Sequence, residues 1–207
     1  MDNQAGARQP YRIVTPPSAA TMACKRAFDI LCSFLGLTVL SPVLLVVSVL
    51  VAVTSPGGGF FRQERIGKDG KPFRIFKFRS MRKDNAGLKI TTGNDSRITP
   101  VGRFLRKSKI DELPQLINVL VGDMSFVGPR PEVADYVNLY TPYQRQVLLV
   151  RPGITGLASI RFRNENDLLT ASDDPNRTYV EQIMPRKIDL DLEYIPHASV
   201  FYDIKLI

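Results

Sequence analysis

One histidine, His197, and two cysteines, Cys24 and Cys32, are the only imidazole and thiol ligands in 207 residues. A histidine-rich metal site is thereby excluded, and a Ser-His-Asp triad would depend on that single imidazole. The cysteines form neither a CxxC pair nor a disulfide framework, which favours a cytosolic setting for the remainder of the chain. No helix-turn-helix, zinc-finger or RNA-binding signature accompanies the pI of about 9.7, so nucleic acid ranks last among anionic partners. Acids are scarce in one stretch. Residues 62–110 hold fifteen Lys/Arg against four acids, net +11, whereas residues 1–53 are net +2 and residues 111–207 net −5. Such a block is a solvated basic face, a surface for anionic lipid headgroups or a phosphate site.

What the chain does have is a run of 24 residues without a charge, Ile30 to Val53, with Ser41-Pro42 near its middle. As a straight helix it would reach roughly 36 Å, enough to cross a bilayer. A secretory signal is not expected, because the stretch is too long and no small-residue cleavage site follows. Two geometries remain. Membrane helices tolerate proline, so a kinked spanning helix is one. The other is a helix–break–helix hairpin that enters and leaves by one leaflet, with the Ser41 hydroxyl bonding a carbonyl freed by Pro42. Lys25 and Arg26 precede the run, and Arg62, Arg65 and Lys68 follow it. Positive residues favour the cytoplasmic side, and here they mark both ends.

The expected organisation is a loose arm over residues 1–21, a membrane helix over 22–56 and a small cytosolic domain over 57–207. The fold class is α+β: a small, mostly helical, membrane-associated domain with a short strand element. Thr54-Ser55-Pro56-Gly57-Gly58-Gly59 is a hinge. Phe73 to Arg79 reads as a strand whose two-residue repeat sets Lys77 and Arg79 on one face, about 7 Å apart. That spacing suits two phosphates, or equally an edge strand protected by charge. Thr99-Pro100 starts a helix with Val101, Phe104 and Leu105 as its apolar side and Arg103, Arg106 and Lys107 turned outward. A second helix is expected to begin near Ser108–Asp111, with Leu113, Leu116, Ile117 and Leu120 on one face and Gly122 as its stop.

Asp111 then lies at a helix N-terminus, where most aspartates simply cap. The same place has chemical use, since free N–H groups and the dipole keep a carboxylate ionised. An ionised Asp can attack phosphorus and form an acyl phosphate. Glu112, about 100° further round, is better suited to holding Mg²⁺ against phosphate oxygens. Arg106 sits beside the helix junction. Gly128-Pro129-Arg130-Pro131 and Arg151-Pro152-Gly153 are rigid loops that each offer one guanidinium, a fork that matches phosphate.

Five blocks carry a resemblance: FRQERIG from Phe61 to Gly67, KFRSM from Lys77 to Met81, LRKSKIDELPQ from Leu105 to Gln115, GDMSFVGPRP from Gly122 to Pro131 and RPGITG from Arg151 to Gly156. Together they resemble the bacterial sugar transferase family, the monotopic phosphoglycosyl transferases that act on polyprenol phosphate. The resemblance implies transfer of a hexose 1-phosphate from a nucleoside diphosphate sugar, usually UDP-linked, to undecaprenyl phosphate with release of UMP. It makes Asp111 the nucleophile and Glu112 the Mg²⁺ ligand. Arg106 and Arg130 become phosphate binders, with Lys77, Arg79 and Arg151 as further candidates. It makes Ser41-Pro42 the break of a re-entrant helix, and the bacterial cytoplasmic membrane, entered from the cytosol, the location. Membrane lipid and a second copy of the chain stand as further candidate partners. A non-catalytic adaptor with a basic lipid-binding face is the alternative. The segment Leu157 to Asn166 and the insert through Asp173-Asp174-Pro175 depart from the family pattern. Relatives usually continue past the motif at Asp203 to Ile207, where a shortened form is expected here, and with no larger N-terminal membrane domain the sequence is expected among the minimal-core members.

Overall fold

The computed structural model describes residues 13–55, 57–82 and 95–207. Residues 1–12 of the expected arm and Pro56 of the expected hinge lie outside them. One helix dominates: α1, Ala19–Thr54, capped by Ser18, whose hydroxyl accepts the Thr21 N–H at 3.2 Å. Among the described residues it is the one helix long and apolar enough to cross a membrane. It runs through Pro42 without interruption, so the expected helix–break–helix is not a break in helical structure. A proline cannot donate to the carbonyl four residues back, here that of Thr38. The Ser41 hydroxyl donates to that same oxygen at 2.8 Å, which satisfies the carbonyl and lets the helix continue.

The same body grips α1 at both ends. Near its start, Lys25 donates to Val127 O and pairs with Asp203, while Asp29 Oδ1 accepts from Ser125 Oγ and Phe126 N at 3.1 and 3.2 Å. Near its end, Val47 and Val51 pack with Phe78 and Leu105 in one apolar cluster. Between these grips the outward face leaves Leu35, Val39, Leu45 and Val46 more than half exposed.

The hairpin that follows pairs β1, Phe60–Ile66, antiparallel with β2, Pro72–Phe78, from Phe60 opposite Phe78 to Ile66 opposite Pro72. β2 lies one residue earlier than the expected strand. Next come α2, Pro100–Lys107, and α3, Gln115–Val121, joined by a single 3₁₀ turn, Ile110–Glu112. The second helix therefore starts later than expected, because Lys109 takes a left-handed φ of 60° and ends the α2 trajectory before Asp111. Gly122 stops α3 as expected, at φ 100°. On α2, Leu105 is buried but Phe104 faces outward, 65% exposed, contrary to its expected place on the packed side.

Two short strands, β3 (Ser125–Val127) and β4 (Gly153–Thr155), pair in parallel and enclose α4 (Ala134–Val137). The C-terminal third is helical: α5 (Leu157–Arg161), α6 (Glu165–Thr170), α7 (Pro175–Thr178), α8 (Met184–Tyr194) and α9 (Val200–Leu206). Tyr136, Val147, Tyr179, Ile188, Leu192 and Tyr194 form the main core against β3. Complete burial of a side chain of this size contributes about 2 kcal/mol.

Candidate active site

Three close backbone approaches set the site. A Cβ on Gly102 would lie 2.0 Å from Ser80 O, so only glycine lets α2 press onto the strand exit and carry Arg106 to the dyad. A Cβ on Gly153 would lie 2.1 Å from Gly128 N, and one on Gly156 would lie 2.3 Å from Gly128 O. These contacts stack the loops after β3 and β4 and fix the backbone from which Arg130 projects.

Asp111 occupies the middle of the 3₁₀ turn and is buried. It caps nothing. Its Oδ1 has no hydrogen-bond partner among the described residues, which corrects the expectation of a carboxylate fed by helix N–H groups. Burial, then neighbouring Glu112, push its pKa above the ordinary range, against the pull of Lys77, Arg106 and Lys109. Glu112 is its opposite. Its Oε1 accepts from Lys77 Nζ at 2.7 Å and from Arg130 Nη2 at 3.0 Å. Burial would raise Glu112, but Arg130 and then Lys77 outweigh it and hold the carboxylate well below its usual range. Lys77 is lowered to about 8 by burial and by Arg130, despite Glu112. Glu112 raises Arg130 beyond its already high value. The pair thus splits: one carboxylate clamped and ionised, the other ringed by cations that do not bond its buried oxygen.

Of the residues read from the sequence, Lys77, Arg106 and Arg130 converge on the pair. Arg106 also reaches Met81 Sδ at 3.4 Å. Arg79 turns away, donating to Gly58 O at 3.0 Å and Phe60 O at 3.1 Å. Arg151 is not brought to the dyad either; its Nε donates to Gly122 O at 2.8 Å, and it lines a different cleft. Two participants were missed. Lys109 acts on both carboxylates from a left-handed turn that no Gly or Asn announced. Asp191 lies buried in α8 with its Oδ1 unbonded among the described residues, and burial raises it to about 7 against the pull of Lys187.

No group of three or more His, Cys, Asp or Glu is placed to hold a metal among the described residues. Mg²⁺ needs no such cage, because it commonly takes one or two carboxylates and completes its shell with water and substrate phosphate. The donors fit that mode: both bonds to Glu112 fall on Oε1, and Asp111 Oδ1 is buried without a partner beside it.

The site thus gathers two buried carboxylates and fixed cations beside a helix long and apolar enough to cross a membrane. The chain belongs to the bacterial sugar transferase family, whose pattern matches residues 20–207. It is 43% identical over 199 residues to the UDP-glucose:undecaprenyl-phosphate glucose-1-phosphate transferase of Escherichia coli K12, covering 93% of this chain and 40% of that protein. It is 37% identical over 196 residues to a UDP-N-acetylgalactosamine-undecaprenyl-phosphate N-acetylgalactosaminephosphotransferase of Aeromonas hydrophila, covering 92% and 43%. An exopolysaccharide production protein of Rhizobium leguminosarum bv. phaseoli is 40% identical over 196 residues, and there the match covers 90% of this chain and 92% of the relative. The chain therefore spans about two fifths of the first two relatives and nearly all of the third.

Proposed function

We propose that this protein transfers a hexose 1-phosphate from a nucleoside diphosphate sugar, with a UDP-sugar as the expected donor, to undecaprenyl phosphate. The reaction opens a surface-glycan pathway at the cytosolic face of the bacterial cytoplasmic membrane. The observation that carries the reading is the buried Asp111 oxygen without a partner, set beside Lys77, Arg106 and Lys109. The names of the relatives support the donor and acceptor classes.

In the first step an Asp111 carboxylate oxygen attacks the phosphorus that bears the sugar. The bond from that phosphorus to the bridging oxygen breaks, and UMP leaves with the bridging oxygen and its electron pair. In the second step an oxygen of undecaprenyl phosphate attacks the same phosphorus. The acyl-phosphate P–O bond breaks, the Asp111 carboxylate is restored and the lipid diphosphosugar departs. Lys77 and Arg130 orient Glu112 and meet phosphate charge, while Arg106 and Lys109 draw the donor towards Asp111. Glu112, with the Asp111 oxygen, would hold Mg²⁺, which when bound neutralises charge on the phosphates.

Attachment by one leaflet is supported by the double grip on α1: both ends of a helix held by one body belong on that body's side of the bilayer. A soluble nucleotide and a lipid phosphate can meet there. A non-catalytic adaptor would leave the buried dyad without a use. Asp111→Asn tests the reading. Loss of nucleotide release by a folded variant is expected; undiminished release would remove Asp111 from its role.

A further inference from the structure

The cations do not all serve the dyad. Arg26 of α1, Lys68 at the tip of the β1–β2 hairpin and Arg151 before β4 line a separate cleft of about 510 Å³, alongside Pro17, Met22 and Leu149. Among the described residues no carboxylate lines it. The two guanidinium groups flank the end of α3. Arg26 Nη2 donates to Leu120 O at 2.8 Å, and Arg151 Nε donates to Gly122 O at 2.8 Å. A Cβ on Gly122 would lie 3.2 Å from Arg26 Nη2, so both charges meet at that residue. Capping α3 explains why two arginines end there. It does not explain Lys68, which takes no part in that cap and adds a third positive charge to the same walls.

The position of the cleft supplies the second argument. Ala19, Met22, Ala23 and Arg26 line it from α1, at the spacing of one helical face. The same line continues to Ile30 and Phe34, which are 42% and 57% exposed. From Arg26 to Ile30 the rise is only about 6 Å. A cationic hollow thus passes directly into an uncovered apolar stripe.

We infer that this cleft binds an anionic phospholipid, with its phosphate among Arg26, Lys68 and Arg151 and an acyl chain along Ile30 and Phe34. Inorganic phosphate shares the headgroup chemistry but would leave the stripe bare, so the lipid is the occupant that uses both features. The inference rests on α1 lying in a lipid surface, as proposed above, and is independent of the chemistry at Asp111.

Native mass spectrometry of the full chain in detergent, with added phosphatidylglycerol or phosphatidylcholine, tests it. Preferential retention of phosphatidylglycerol is expected, resistant to millimolar inorganic phosphate. Lys68→Gln leaves the α3 caps in place and should weaken retention about fivefold, with a similar loss for Arg151→Gln. Equal retention of the two lipids, or an unchanged Lys68→Gln variant, overturns the inference. Ready displacement by inorganic phosphate would make this a free-anion site and overturn the lipid assignment. Flotation with phosphatidylcholine vesicles reports membrane attachment separately, so failure of that reading is distinguishable.

Discussion

A buried carboxylate oxygen without a hydrogen bond costs its protein about 1–3 kcal/mol, and a phosphorus atom held beside it gives that oxygen a use. Asp111 Oδ1 is in that position, whereas Glu112 is already bonded by Lys77 and Arg130. Glu112→Gln keeps the shape but leaves two half-buried cations facing each other, and turnover with a UDP-sugar should fall by about 10²–10³-fold. Lys77 gives a pH test. Its folded pKa of about 8 lies below the ordinary 10.5. Raising pH through 8 therefore removes a charge from the free site, and kcat/KM should fall there, while Lys77→Arg moves that limb upward. The linked stability has the opposite sense. Between 8 and 10.5 the unfolded chain holds the proton and the folded one does not, so this group's contribution to stability rises with pH. Asp191 behaves differently. Its folded pKa of about 7 exceeds the ordinary 3.8, so its contribution falls as pH rises between those values. Denaturation midpoints across that window should show a slope in the wild type that Asp191→Asn flattens. Lys77, Arg106 and Arg130 were legible beside the carboxylate pair because each stands in or next to a compact motif. Lys109 and Asp191 were not. A lysine carries no sign of a left-handed turn, and MPRKIDLDLEY reads as an ordinary charged helix until α5 covers it.

Helix α1 continues because one hydroxyl replaces one missing N–H, a detail visible in Ser41-Pro42, although whether the helix breaks or continues was not. β2 was readable from its aromatic and charged alternation. β1 was not, because FFRQERI does not alternate cleanly and its first three residues stay exposed. The inward face of α3 misled for a related reason. Asn118 is fully buried and pins β2, accepting from Phe76 N at 2.9 Å and donating to Arg74 O at 2.8 Å, while Ile117 and Leu120 are only half-buried. Burying an amide needs both partners supplied by another strand, and apolar periodicity alone cannot foresee them. The contact of α2 with Ser80 gives the sharpest test of an element. Gly102→Ala places a methyl 2.0 Å from a backbone oxygen and must shift α2. Destabilisation by about 1–3 kcal/mol in denaturant is expected, with loss of turnover as Arg106 moves.

Across the chain, charge and apolarity follow one plan: an uncharged helix, a strongly basic stretch beside it and an acidic C-terminal half. The body holds both ends of α1 while its outward face stays apolar and uncovered, an arrangement suited to a surface that lipid completes. Impermeant labelling of residues 1–20 in intact cells should therefore fail from outside, and efficient labelling would place the arm across the membrane. The central claim remains chemical. Intact-mass measurement after mixing the protein with a UDP-sugar, with undecaprenyl phosphate withheld, examines it directly. A single hexose-phosphate adduct on Asp111, discharged when undecaprenyl phosphate is added, is the predicted result; full transfer to lipid by an Asp111→Asn variant that never carries an adduct would contradict it.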